Sequence, residues 1–182
     1  MPEPAASARA DALPSEALRE QTRALAAPMG GIQDVPISLL CFRVGEERFG
    51  LPAESVERTF AQVPVRTVPH RRHPAFRGLV AHEGEILLMA SLERSLDLPA
   101  GGERSPEDIR VVVLGPAGRG WAFEVDAIEG VIQARPGELK AAPATVTRGR
   151  GSATRSLLTR DGREWAVLDP QALRNGWEAC VQ

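Results

Sequence analysis

Two stretches far apart in the chain are written to one plan, and that repetition constrains the fold more than any other feature of the sequence. Leu79-Val80-Ala81-His82-Glu83-Gly84 and Leu157-Leu158-Thr159-Arg160-Asp161-Gly162 both read Leu-apolar-x-x-acidic-Gly. A returning apolar run follows each, ILLMA at 86–90 and EWAVL at 164–168. Short apolar runs split by a turn that ends in Gly specify a β-hairpin, because Gly reaches the positive φ that two-residue turns require. In the first half Leu92, Ser95, Leu96 and Leu98 then share one short helical face.

The approach to each hairpin repeats as well. In the first half 37–44 reads as a strand, 45–47 as a turn and 48–51 as its return. A short helical turn over 52–57, with Pro at its start, and a half-buried strand over 63–68 (Val63, Val65, Val68) come next. In the second half the corresponding pieces are a strand at 109–114, a turn at 115–120, a return at 121–125, a short turn at 126–129 and the run 130–132. The segment 134–152 is looser, with Pro and Arg throughout. Pro170 opens a closing helix over 170–181, with Leu173, Trp177 and Val181 at helical spacing. Each half is therefore hairpin, short turn, strand, hairpin, which predicts a mainly β fold of two similar small barrels packed together under a terminal helix. Pro99-Ala-Gly-Gly-Glu-Arg-Ser-Pro-Glu107 is the expected linker between them. Residues 1–35 read as a flexible Ala/Pro-rich tail with one helical island over 15–27, and 36–182 as the folded part.

Composition limits what such barrels can do. The net charge is −2 over 182 residues, so no global field drives the chain onto nucleic acid or anionic lipid. No apolar run approaches the ~20 residues that span a bilayer, and the N-terminus lacks a basic head followed by an apolar core. These readings make the cytoplasm the expected compartment, with no membrane insertion. Cys41 and Cys180 lack any ligand spacing, and Cys41 sits in an apolar run that marks it as core.

His70, His73 and His82 are the only histidines. A zinc ion at His70 and His73 would sit beside Arg71, Arg72 and Arg77, an unfavourable field for a cation. There is no phosphate loop, nucleophile elbow, H-E-x-x-H or C-x-x-C motif. Asp126 and Glu129 form an acidic pair without a base or metal partner, which reads as surface. No catalytic constellation and no cofactor are expected. Arg66, His70, Arg71, Arg72, His73 and Arg77 form one basic patch, and Arg148, Arg150, Arg155, Arg160 and Arg163 another. They support an alternative reading as a nucleic-acid-binding barrel, opposed by the scarcity of aromatics (4%) and the absence of Tyr. Arg is equally favoured around protein contacts, the reading adopted for the first patch.

Four pieces taken in order resemble the CheW-like domain, the adaptor module of bacterial chemosensory arrays. They are FRVGEERFGLPAESVER (42–58), VPHRRHPAFRGLVAHEGEILLMASL (68–92), WAFEVDAIEGVI (121–132) and LLTRDGREWAVLD (157–169). The second piece and PATVTRG (143–149) are most similar to the divergent WspD-type adaptors of surface-sensing systems. The resemblance implies two five-stranded, SH3-like barrels. It implies an adaptor that bridges a chemoreceptor's cytoplasmic tip and the regulatory domain of a CheA-type histidine kinase, recruited to receptor arrays. The partner-binding positions it implies are Val56, Arg58, Gly78 and Glu83; Arg77, from the first basic patch, and Val80 beside it are further expected contacts. One departure stands out: the family's usual Asn-Leu-Arg-Gly apex is here Ala81-His82-Glu83-Gly84, an acid in place of a base. Reversed charge repels a partner built for Arg, which implies either a co-adapted receptor or kinase or the loss of one of the two contacts.

Overall fold

The computed structural model describes residues 35–70, 73–99, 104–115, 120–143 and 153–181. The expected tail helix over 15–27, residues 144–152 of the looser segment, and Arg71, Arg72, Arg148 and Arg150 lie outside the described residues. Eleven strands and two helices follow in order: β1 Ile37–Val44, β2 Glu47–Pro52, β3 Val56–Ala61, β4 Phe76–His82, β5 Glu85–Ala90, α1 Leu92–Ser95, β6 Arg110–Leu114, β7 Trp121–Val125, β8 Ala127–Ala134, β9 Leu139–Ala141, β10 Thr154–Arg160, β11 Arg163–Leu168 and α2 Pro170–Ala179. They build two sheets, in the orders β8-β1-β2-β11-β10-β9 and β3-β6-β7-β5-β4. This is the mainly β, double SH3-like architecture anticipated above, with one addition: the short β9 gives the first sheet a sixth strand.

β5 and β6, on either side of the expected linker, belong to the same sheet. The first hairpin β1–β2 instead pairs antiparallel with β8 and, through β2, parallel with β11. The hairpin β6–β7 does the same with β3 and β5. Each half of the repeat thus lends its first hairpin to one barrel and its remaining strands to the other. Both swaps rest on parallel pairings between strands far apart in sequence, which no local turn announces.

The repeat itself is faithful. β4 and β10 show the same alternation of burial, a bulge near the start of each falls at the matching place, and both hairpins turn through two residues of positive φ. Glu83 and Gly84 have φ of 50° and 82°, Asp161 and Gly162 of 52° and 72°. That is the twist a two-residue hairpin needs. After each hairpin one residue caps a helix: the Ser91 hydroxyl accepts from Arg94 N–H, and the Asp169 carboxylate from Gln171 and Ala172 N–H. The Asp169 carboxylate satisfies two otherwise orphaned donors, so Asp169→Ala should cost about 1 kcal/mol in a urea titration.

Two sequence expectations change in detail. The turn expected over 52–57 shortens to a 3-10 turn, Ala53–Ser55, and β3 begins at Val56. The strand expected over 63–68 reduces to a single bridge between Arg66 and Leu79. β3 escaped notice because Arg58 occupies one of its half-buried positions, breaking the apolar alternation.

Three cores hold the sheets. Leu39, Cys41, Leu158, Trp165 and Val167 fill the first barrel. Val80, Leu87, Met89, Val111 and Val113 fill the second. Between the sheets lies the largest, with Leu40, Phe42, Leu51, Leu114, Phe123, Leu173 and Trp177. Adjacent residues of β1 alternate between the first and third cores, so this strand is buried on both faces. Burial pushes the Cys41 thiol up to about 11, consistent with a small apolar core residue.

Candidate functional site

The second barrel closes where β3 returns beside the β4–β5 hairpin, and side chains make that closure. The Phe60 and His82 rings stack at 3.7 Å with 8° between their planes. Arg58 Nη2 pairs with Glu85, and Arg58 Nη1 donates to Glu57 Oε1 at 3.1 Å. These carboxylates and nearby Glu83 raise the Arg58 pKa, with the Glu85 hydrogen bond contributing most. Glu83 stands at the turn, its side chain 72% exposed, with Oε2 3.9 Å from His82 Nε2. The fold therefore gathers Arg58 and Glu83, 25 positions apart in the chain, around one tip.

Val56 starts β3, half-buried against the core between the sheets. Gly78 and Val80 are corrections to the contact list. Val80 is wholly buried inside the second barrel and offers no surface. Gly78 is buried too, at φ 140°, where a Cβ would lie 2.2 Å from the Arg66 carbonyl oxygen. Its role is to let 66–67 cross close to β4. Arg77 is half-turned to solvent, but its guanidinium pairs with Glu124, whose other oxygen accepts from Gln62 Nε2 at 3.2 Å. The Glu124 side chain is only 5% exposed, so Arg77 supplies the counter-charge that makes its burial tolerable.

The outward face of the hairpin holds what the sequence reading missed. Ile86 is 67% exposed and pairs across the strand with exposed Ala81. Leu79 and Leu88, the next pair on that face, are half-buried against the central core. The signal was available: period-two alternation places Leu87 and Met89 inward and sends Ile86 outward. Other exposed large apolar side chains among the described residues are Val35, Ile37 and Val131, near the β1–β8 edge.

The remaining chemistry-bearing residues are engaged structurally. The Asp126 carboxylate accepts from Gly45 N–H at 2.5 Å and Arg104 Nε at 3.0 Å, tying the first turn to the β7–β8 corner. Glu129 accepts from Arg48 Nε at 3.0 Å and Trp165 Nε1 at 3.1 Å. Arg160 of the second basic patch pairs with Glu138 at 2.8 Å and also donates to Gln133 O. Backbone N–H of Arg135, then the Arg160 guanidinium, lower the Glu138 pKa. His73 Nδ1 accepts from Ala75 N–H at 3.2 Å, and its Nε2 lies 3.6 Å from Cys180 Sγ. Among the described residues, no three His, Cys, Asp or Glu side chains converge in a metal-ligand group.

Two interlocked small β barrels, with a salt-bridged corner and an exposed apolar spot beside it, define the architecture. The chain belongs to the CheW-like domain family, whose family model matches residues 38–176. Among solved structures, the crystal structure of the scaffolding protein TtCheW from Thermoanaerobacter tengcongensis matches with a TM-score of 0.65 at 20% identity. The match covers 74% of this chain and 89% of that one, and at that identity it concerns the fold. No curated protein matches the sequence.

Proposed function

We propose that this chain is a non-enzymatic adaptor that couples the cytoplasmic tip of a methyl-accepting chemoreceptor to the regulatory domain of a CheA-type histidine kinase. Membership of the CheW-like family carries the reading, and the exposed Ile86–Ala81 pair beside the Arg58–Glu85 corner supports it as a contact surface. Such an adaptor works by mass action: holding receptor and kinase together raises their effective concentration for each other. Among the described residues no helix is long and apolar enough to cross a membrane.

An exposed apolar anchor at the centre of a contact carries a large share of its binding energy. Burying a carboxylate there without a partner costs more still. Ile86→Asp should therefore weaken binding to the kinase regulatory domain by about 2 kcal/mol or more, read by calorimetry on the full chain. Because Ile86 lies mostly in solvent, the melting temperature should hardly move. Equal affinities for wild type and Ile86→Asp would remove this face from the contact. The nucleic-acid alternative predicts instead a steep salt dependence of binding to generic duplex DNA.

A further inference from the structure

The tip formed by β3 and the β4–β5 turn has a charge of definite sign. Within 56–60 and 81–86 the ionised groups are Glu57, Arg58, Glu83 and Glu85, with His82 beside them. Arg58 is the single strong base, and two of the three carboxylates hold it. Its charge is spent on closing the barrel, and its side chain is 26% exposed. His82 lies flat on Phe60, with Nε2 beyond hydrogen-bond length from Glu83. Glu83 thus projects from the turn as an anion without a strong internal partner, close to exposed Ile86 and Ala81. The surface is an apolar spot with an acidic rim.

Resting on the adaptor reading above, we infer that the kinase surface seated on this tip is basic: an apolar pocket flanked by Arg or Lys side chains. An acidic partner would place like charges against Glu83 and leave its carboxylate desolvated without compensation. A phosphate-bearing partner would meet the same repulsion. Arg suits the position best, since a guanidinium engages a carboxylate through two hydrogen bonds and tolerates an apolar neighbour.

The test titrates the full chain against the regulatory domain of the CheA-type kinase from the same genome, at low and at moderate salt, with four proteins: wild type, Glu83→Gln, Glu83→Arg and Ile86→Asp. Glu83 already sits at positive φ, and Arg meets the same backbone demand as Glu, so the fold should be unaffected; thermal melts check this. The expected order at low salt is wild type tightest, Glu83→Gln weaker by about threefold, and Glu83→Arg weaker by tenfold or more. Wild-type affinity should fall with salt, and that dependence should flatten in Glu83→Gln. Glu83→Arg binding as tightly as wild type, or tighter, while Ile86→Asp still loses binding, would overturn the basic partner and leave the adaptor reading standing. Absence of wild-type binding would overturn both.

Discussion

Gly78→Ala should lower the unfolding free energy by about 3 kcal/mol, the largest backbone effect expected in the chain. At φ 140° an L residue is strained, and the added methyl would stand 2.2 Å from the Arg66 carbonyl oxygen and 2.9 Å from its carbon. Both atoms are backbone, so relief requires the 66–67 segment to lift away. That segment is held by two bonds at 2.8 Å, Arg66 N–H donating to Leu79 O and Leu79 N–H to Arg66 O. Losing them opens the second barrel along β4, next to the proposed contact surface. The repeat supplies a control: Ser156 is the matching residue of β10, and there β9 covers the strand in ordinary register. Ser156→Ala should cost less than about 1 kcal/mol. Urea titrations of the two variants, fitted for midpoint and slope, decide the matter. Similar small losses in both would mean that Gly78 tolerates a side chain and that the crossing is loose.

Trp177→Ala should cost about 4 kcal/mol. The indole is 1% exposed and packs obliquely on Trp121 and Phe123, with ring centres 5.7 Å and 5.6 Å away. Its Nε1–H donates to Ser95 Oγ at 2.7 Å, joining the closing helix α2 to α1. Truncation leaves a void where no flexible side chain can follow, because Leu173, Phe42 and Leu114 are themselves close-packed. A midpoint lower by roughly 10 °C in a thermal melt is expected for a chain of this size. Trp177→Phe keeps most of the volume and loses the hydrogen bond, so it should fall between. If Trp177→Ala melted within a degree or two of wild type, α2 would not seal the central core.

Much of this architecture is written locally. The hairpins β1–β2, β4–β5 and β10–β11 each combine apolar runs with a Gly-bearing turn, and each stands where the sequence placed it. Helix α2 is equally legible, from Pro170 at its first position and Leu173 and Trp177 on one face. The exchange of hairpins between barrels was not legible. It depends on β2 lying parallel to β11 and β5 to β7, contacts made only after long loops close.

The proposed contact surface sits at an apex that the sequence marks. Glu83 could be located at an apex from its Gly84, and Arg58 was named with it. Closure of the barrel hangs on Phe60 meeting His82 and Arg58 meeting Glu85, contacts between residues 22 to 27 positions apart that no local pattern announces. Val80 is core, paired with buried Leu87, whereas Ile86 on the opposite face is exposed beside Ala81. Arg77 was likewise assigned to an outer rim because its partner Glu124 lies 47 positions away.

The account rests most heavily on simultaneous grip of two partners, and sedimentation velocity measures that directly. The full chain, the kinase regulatory domain and a soluble receptor tip fragment should sediment together as one ternary species, while receptor fragment and kinase domain alone stay apart. A chain that binds neither, or binds each only by displacing the other, would contradict it.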